Sequence, residues 1–284
     1  IARPLRRLAL AAERGRHDHS RRYRIPDMAD RDDEIGELAA TLNDMTDALW
    51  KRMDAIDRFA ADVAHEIKNP LTSLRSAVET TARLKDPSKQ QKLMSIIQED
   101  VGRLDRLISD ISEASRLDAE LSRAESEPTD IAGMLATLAD IQNTTRGPMD
   151  PRVVMTRTND AGPLMVSGIE SRLAQVFRNL ITNAATFSPN GSVISITIST
   201  GHDEVCIDVD DEGPGIPPGN EEKIFQRFYT ERAESEKFGI HSGLGLSISQ
   251  QIIEVHYGEI SAGNRFDAAG NVLGARFKVR LPLA

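Results

Sequence analysis

The sequence predicts a multidomain protein, two helical modules followed by an α/β sandwich, and three observations predict it. Apolar residues recur at three- and four-residue spacing over 53–117, with one break at KDPSK, Lys85 to Lys89. Over 128–284, helix-like and strand-like runs alternate instead. Before both, residues 1–52 hold two short amphipathic stretches separated by a polar, arginine-rich connector.

In the first block Leu5, Leu8 and Ala12 space one stretch, and Ile35, Leu38, Leu42, Met45 and Leu49 the other, at helical period. Between them lie Ile25-Pro26 and an acidic DRDDE cluster. Each helix is too short to be stable alone and needs partners. In the second block one arm of a helical hairpin carries Ile56, Ala60, Val63, Ile67, Leu71, Leu74 and Val78. The returning arm carries Leu93, Ile97, Leu104, Ile108 and Ile111. Two helices with one apolar stripe each cannot close a core, so the expected solution is a homodimer forming a four-helix bundle. The stretch LDAELSRAESEPTD then reads as a linker.

In the third block helical patterns run near 130–142, 169–187 and 243–256. The strand-like runs are RVVMTR, PLMV, SVISITIST, EVCIDVDD, GEISAG and ARFKVRL. Helices on one face of a mixed sheet follow from that alternation. Between Glu212 and Ser242 lies a long stretch rich in glycine, proline and charge, which in a compact domain reads as a lid or binding loop.

With 284 residues, 39% of them apolar, the chain is long enough for two or three domains and at least one core. A net charge of −9 disfavours non-specific nucleic-acid binding, which needs a basic surface. The single cysteine, Cys206, provides neither a disulfide framework nor a metal cage and fits a reducing compartment. No run of eighteen apolar residues and no signal-peptide pattern is visible. The opening IARPLRRLAL, without an initiator methionine, reads as part of a longer chain.

Four constellations carry chemistry. In VAHEIKNPLTSL, residues 63–74, His65 falls off the apolar seam and points to solvent, Glu66 follows it, and Asn69 lies one turn on. A lone helical histidine is commonly a packing residue. This one has a carboxylate beside it, and a neutral imidazole near pH 7 is a good nucleophile. Pro70 has no N–H for the carbonyl of Glu66, so a bend is expected there, at a cost of about 3 kcal/mol for an interior proline. In QVFRNLITNAATFSP, residues 175–189, Gln175, Asn179 and Asn183 share a face, where asparagine is a poor helix former. They read either as a solvated face or as oxygens collected for a ligand or a hydrated cation such as Mg²⁺. In DEGPGIPP, residues 211–218, a strand-end carboxylate, Asp211, precedes Gly213 and Gly215, a plain turn or a close approach to a ligand. In HSGLGLSIS, residues 241–249, Gly243, Leu244 and Gly245 open a helix, a setting that suits an anion. The aromatics of IFQRFYTER, Phe228 and Tyr229 among them, either pin the long loop or pack.

Taken together and in order, His-Glu-x-x-Asn-Pro, Asn-x-x-x-Asn, Asp-x-Gly-x-Gly, Phe-x-x-Phe and Gly-x-Gly-Leu resemble the sensor histidine kinases of two-component systems, over nearly the whole chain. Residues 60–74 look like the phosphoacceptor H box, 175–188 the N box, 211–217 the G1 box, 225–229 the F box and 243–247 the G2 box. The opening block, through Ile1-Ala2-Arg3-Pro4-Leu5 and Asp33-Glu34-Ile35-Gly36-Glu37-Leu38, looks like a HAMP signal-relay module. The likeness is strongest to the membrane-bound kinases of the EnvZ and ChvG kind.

The resemblance implies HAMP over 1–52, a dimerisation and phosphoacceptor hairpin over 53–122, and an ATP-binding α/β sandwich of the GHKL type over 123–284. It implies that Asp211 reads the adenine amino group, that Asn183 helps to hold Mg²⁺, that Asn179 supports the phosphates, and that Gly213, Gly215, Gly243 and Gly245 shape the pocket and its lid. His65 is then the nucleophile toward the γ-phosphorus of ATP, Glu66 its base, and a response-regulator aspartate the final acceptor. Asn69 matches the residue that orients water to dephosphorylate the regulator. It further implies the cytoplasmic portion of an inner-membrane protein, anchored by segments before Ile1. Two positions depart from the family pattern. Thr186 stands where a basic residue is frequent, leaving Arg227, Arg232 or Lys237 as candidate cations, and His241 stands where glycine is frequent. A hydrolysing ATPase like gyrase or MutL needs a glutamate where this chain has Asn179, a poor general base. A phosphatase-biased or non-catalytic dimeric scaffold is the other alternative.

Overall fold

The computed structural model describes residues 33–84, 86–121, 126–158, 162–201, 203–229 and 242–284. The first amphipathic stretch with its connector, and Arg232, Lys237 and His241 of the long loop, lie outside these residues. The chain divides into two units, 1–66 and 67–284.

Helix α1 (Glu34–Thr81) starts at Asp33, whose Oδ1 and carbonyl both accept the Gly36 N–H, at 3.1 and 2.9 Å. Glu34 and Glu37 in its first turn complement the helix dipole. The sequence reading placed a short helix here, ending near Arg52. Instead α1 is a single helix of 48 residues. No glycine or proline lies between Glu37 and Asn69 to stop it. The helix also passes through Pro70, which removes one ladder bond without ending it.

Helix α2 (Pro87–Leu121) opens with proline at its first position, where a missing N–H costs nothing. Asp86 caps it by accepting the Ser88 N–H at 3.0 Å. Ala77 of α1 and Leu107 of α2 are buried, whereas Leu71, Val78, Met94, Val101 and Ile108 remain exposed. The hairpin therefore keeps an apolar stripe on its outside, as expected for a module that needs a second copy.

The expected linker is structured at its end. Strand β1 (Glu127–Asp130) pairs antiparallel with β3 (Met165–Gly168), buries Thr129, and delivers Asp130 as cap of α3 (Ile131–Thr145). Asp130 Oδ1 accepts the N–H groups of Ala132 and Leu164, both at 3.2 Å. A four-residue strand reading EPTD has too little alternation to register as a pattern.

The remaining elements are β2 (Arg152–Arg157), α4 (Glu170–Phe187), β4 (Val193–Thr200), β5 (Glu204–Asp210), a 3₁₀ turn (Lys223–Phe225), α5 (Gly245–Val255), β6 (Glu259–Phe266) and β7 (Val272–Pro282). Five strands form one mixed sheet in the order β2-β4-β5-β7-β6, with β2 and β4 parallel and the other pairs antiparallel. Alternation sends Ile194, Ile196, Ile198, Ile207, Val209, Phe277, Val279 and Leu281 into the core. They meet Leu173, Val176, Phe177 and Leu180 of α4 and Ile248, Ile252 and Ile253 of α5, each worth about 1.5–3 kcal/mol on burial. The opposite face is polar, with Arg276 and Lys278 of β7 beside Asp208 of β5 at 3.7 and 3.9 Å.

Candidate active site

Asp211 stands where β5 ends, 4% exposed. Its N–H donates to the Ala275 carbonyl at 3.0 Å, and its Oδ1 accepts the N–H groups of Ala275 and Gly213 at 2.8 and 2.9 Å. Oδ2 accepts no hydrogen bond among the described residues. Burial raises the carboxyl pKa, outweighing the two N–H donors and the nearby Arg265 guanidinium. An acceptor oxygen held in a low-dielectric wall is suited to one oriented donor from a ligand.

Helix α4 gives its three stacked polar residues different tasks. Gln175 accepts the Arg172 guanidinium at 2.8 Å, and Arg172 pairs with Glu113 of α2 at 3.3 Å. The Asn179 amide donates to the Gly245 carbonyl at 3.3 Å and the Ser249 hydroxyl at 3.4 Å, tying α4 to the start of α5. Asn183, half-buried, makes no side-chain hydrogen bond among the described residues, and the Asn179 Oδ1 accepts none there either, so both amide oxygens are open to a ligand. Thr186 donates its hydroxyl back to the Thr182 carbonyl at 2.9 Å.

Leu244 is fully buried and Gly245 begins α5. The Phe228 N–H donates to the Gly243 carbonyl at 2.8 Å, closing the stem of the loop whose intervening residues are 230–241. Gly243 has φ 74°, and a Cβ there would come within 2.7 Å of the Phe228 backbone, so only glycine fits. Phe228 itself has φ 62°, uncommon for a bulky residue. Phe228 and Tyr229 are half-buried, while Ile224 and Phe225 one turn earlier are the buried anchors.

These groups form one connected lining. The N–H of Glu212 donates to the Ser188 hydroxyl at the end of α4 at 3.4 Å, and Gly213 packs on the Phe187 carbonyl. Asn179 then links α4 to Gly245, and Gly243 links to Phe228. His65 and Asn69 are exposed on α1 and Glu66 is half-buried; His65 and Glu66 belong to the unit 1–66 and Asn69 to the other. No group of three or more His, Cys, Asp or Glu side chains able to hold a metal occurs among the described residues. A cation here would rest on the Asn183 oxygen together with ligand oxygens and water, which suits Mg²⁺.

Several contributors escaped the sequence reading. Asn264 of β6 bonds both backbone groups of Ile216 at 2.6 Å. Arg265 donates to the Asp211 carbonyl at 3.0 Å, and Arg276 grips Asp210 through two 2.7 Å bonds. His256, 4% exposed, accepts the Ile169 N–H at Nε2 (3.0 Å) and donates from Nδ1 to the Ile252 carbonyl (2.7 Å). All lie in segments whose alternation announces a strand or helix and nothing more, with partners up to 87 residues away.

Three family models match the chain: a HAMP domain over 1–51, a His Kinase A phospho-acceptor domain over 55–120, and a histidine kinase-, DNA gyrase B- and HSP90-like ATPase over 168–284. The sensor protein ChvG of Rhizobium meliloti is 48% identical over 99% of this chain and 50% of its own length. That of Agrobacterium fabrum is 49% identical over 100% of this chain and 48% of its own. The chain thus spans about half the length of these curated relatives. Among solved structures, the histidine kinase ThkA in complex with the response regulator protein TrrA aligns with a TM-score of 0.64 and 26% identity, over 82% of this chain and 64% of that one.

Proposed function

We infer that this chain, which belongs to the sensor histidine kinases of two-component systems, moves the γ-phosphoryl group of ATP to its own His65 and then to an aspartate of a response regulator. The observation that carries the reading is Asp211, a buried carboxylate with one oxygen fixed by two backbone N–H groups and the other unengaged beside Gly213. That oxygen suits the exocyclic amino group of adenine. Asn183 contributes its oxygen to Mg²⁺, which neutralises phosphate charge. Asn179 holds Gly245 in place behind Gly243 and Leu244, and so supports the phosphates through α5, whose first N–H groups suit an anion. Gly215, Phe228 and Tyr229 complete the pocket wall and loop stem.

At the acceptor, a ring nitrogen of His65 forms the bond to the γ-phosphorus as the bond to the ADP oxygen breaks, and Glu66 takes the imidazole proton. Positioning and charge neutralisation supply most of the rate. Asn69 orients a water for removal of phosphate from the regulator, giving the protein a phosphatase activity as well. The complex that ThkA makes with TrrA supports a receiver domain as partner. The domains are HAMP over 1–52, the hairpin over 53–122 and the ATP-binding domain over 123–284, and the exposed stripe of the hairpin supports a homodimer. No described helix is long and apolar enough to cross a membrane. The HAMP match and the twofold greater length of the ChvG proteins support a place as the cytoplasmic part of an inner-membrane sensor.

Incubation with γ-labelled ATP and Mg²⁺, comparing the protein with His65→Gln, tests the reading. Label that resists base, is lost in acid and is missing from the variant is expected. Equal labelling of both proteins would place the acceptor elsewhere.

A further inference from the structure

We propose that Asn264 is a positioning residue for purine recognition: its side-chain amide, with Arg265 beside it, sets where the unengaged Asp211 oxygen points. The Ile216 N–H donates to Asn264 Oδ1 at 2.6 Å, and Asn264 Nδ2 donates to the Ile216 carbonyl at 2.6 Å. One carboxamide thus satisfies both backbone groups of a single residue, standing in for the neighbouring strand the loop lacks. Aspartate has no donor for the carbonyl, serine is too short to span both groups, and alanine leaves Ile216, itself buried, with an unmatched pair. The neighbour in the loop is shaped for this contact. Gly215 has φ 80°, and a Cβ there would lie 2.6 Å from the Asn264 oxygen.

Arg265 works at the other end of the same loop, donating from Nη1 to the Asp211 carbonyl at 3.0 Å and pairing through Nε with Asp210 at 3.4 Å. Consecutive residues of β6 therefore fasten both ends of the segment from Asp211 to Ile216, and the register of β6 against β7 shifts directly after Arg265. Of the two Asp211 carboxylate oxygens, Oδ1 alone is tied down among the described residues, by N–H groups of Gly213 in the loop and Ala275 in β7, so the direction of Oδ2 depends on where the loop holds Gly213. An adenine amino group donates to that oxygen, whereas guanine presents a carbonyl at the same ring position. A displaced loop therefore costs affinity for adenine and blunts the rejection of guanine. The inference rests on the reading of Asp211 given above.

The test is binding of ADP and of GDP to the full chain and to Asn264→Ala and Asn264→Asp, with melting without nucleotide and hydrogen exchange at the Ile216 amide. With two hydrogen bonds removed, Asn264→Ala should weaken ADP roughly tenfold, leave GDP nearly unchanged, and speed exchange at Ile216. Asn264→Asp, which keeps the acceptor, should fall between, and it supplies the measurement if the alanine variant does not fold. Unaltered preference for ADP over GDP in a folded variant overturns the proposal, and equal weakening of both nucleotides overturns it by reducing Asn264 to a structural part. A parent protein that binds neither nucleotide, or both alike, overturns the assignment of Asp211 and this inference with it.

Discussion

At the scale of single residues, Asp211 joins burial to acceptor chemistry, and the two pull against each other. Its carboxyl pKa is raised because burial penalises the charge more than the two N–H donors favour it. The stability this group contributes is therefore fully present below its ordinary pKa and is lost as pH rises through the raised value. Asp211→Asn keeps an acceptor for Gly213 and Ala275 but carries no charge. It should melt at or above the temperature of the parent at pH 7, with its advantage growing as pH rises across that window. It should bind adenine nucleotide at least about tenfold more weakly, because a donor would then face the base amino group. In the parent, nucleotide affinity should fall as pH drops through the raised pKa, and titration calorimetry across mildly acidic pH reads both effects. Cys206 shows the same physics: burial and the neighbouring Asp208 push its thiol up. Alkylation at pH 8 should be slower than that of a free cysteine.

At the scale of elements, α4 has no side-chain cap at Ile169, and the Ile169 N–H finds its acceptor in His256 at the far end of α5. One buried imidazole thereby joins the start of one helix to the end of the other. His256→Ala should cost about 2–4 kcal/mol through a cavity and the abandoned Ile169 N–H, read by chemical denaturation. Nothing local marks His256 for this task, since a histidine in QQIIEVHYG looks like any residue at a helix end. Strand β7 is the opposite case. The alternation of ARFKVRL settles which residues are buried, and Phe277, Val279 and Leu281 lie inside with Arg276, Lys278 and Arg280 outside. Periodicity reports the faces of an element, whereas the bond from Asn264 to Ile216, 48 residues apart, is a product of the sheet order that no local pattern carries.

At the scale of the molecule, the hairpin has more apolar surface than its own two arms cover. Val101 and Ile108 of α2, two turns apart, are each about half exposed, at 47% and 55%. Sedimentation should find a dimer, and Val101→Asp combined with Ile108→Asp should shift it toward monomer while leaving nucleotide binding to the α/β domain in place. The order of modules was legible because each has its own period, helical in the hairpin and alternating beyond β1. The limits of α1 were not, because a helix ends only where something stops it, and nothing does between Glu37 and Asn69. Finally, the bond from the Phe228 N–H to the Gly243 carbonyl fastens the two ends of the long loop to each other. The loop-closure entropy of such a tethered segment grows only with the logarithm of its length, so doubling it would add about 0.6 kcal/mol. A change in the number of residues between Tyr229 and Ser242 should therefore leave the melting of the α/β domain nearly unchanged, since the bond that joins the two ends lies in the domain itself.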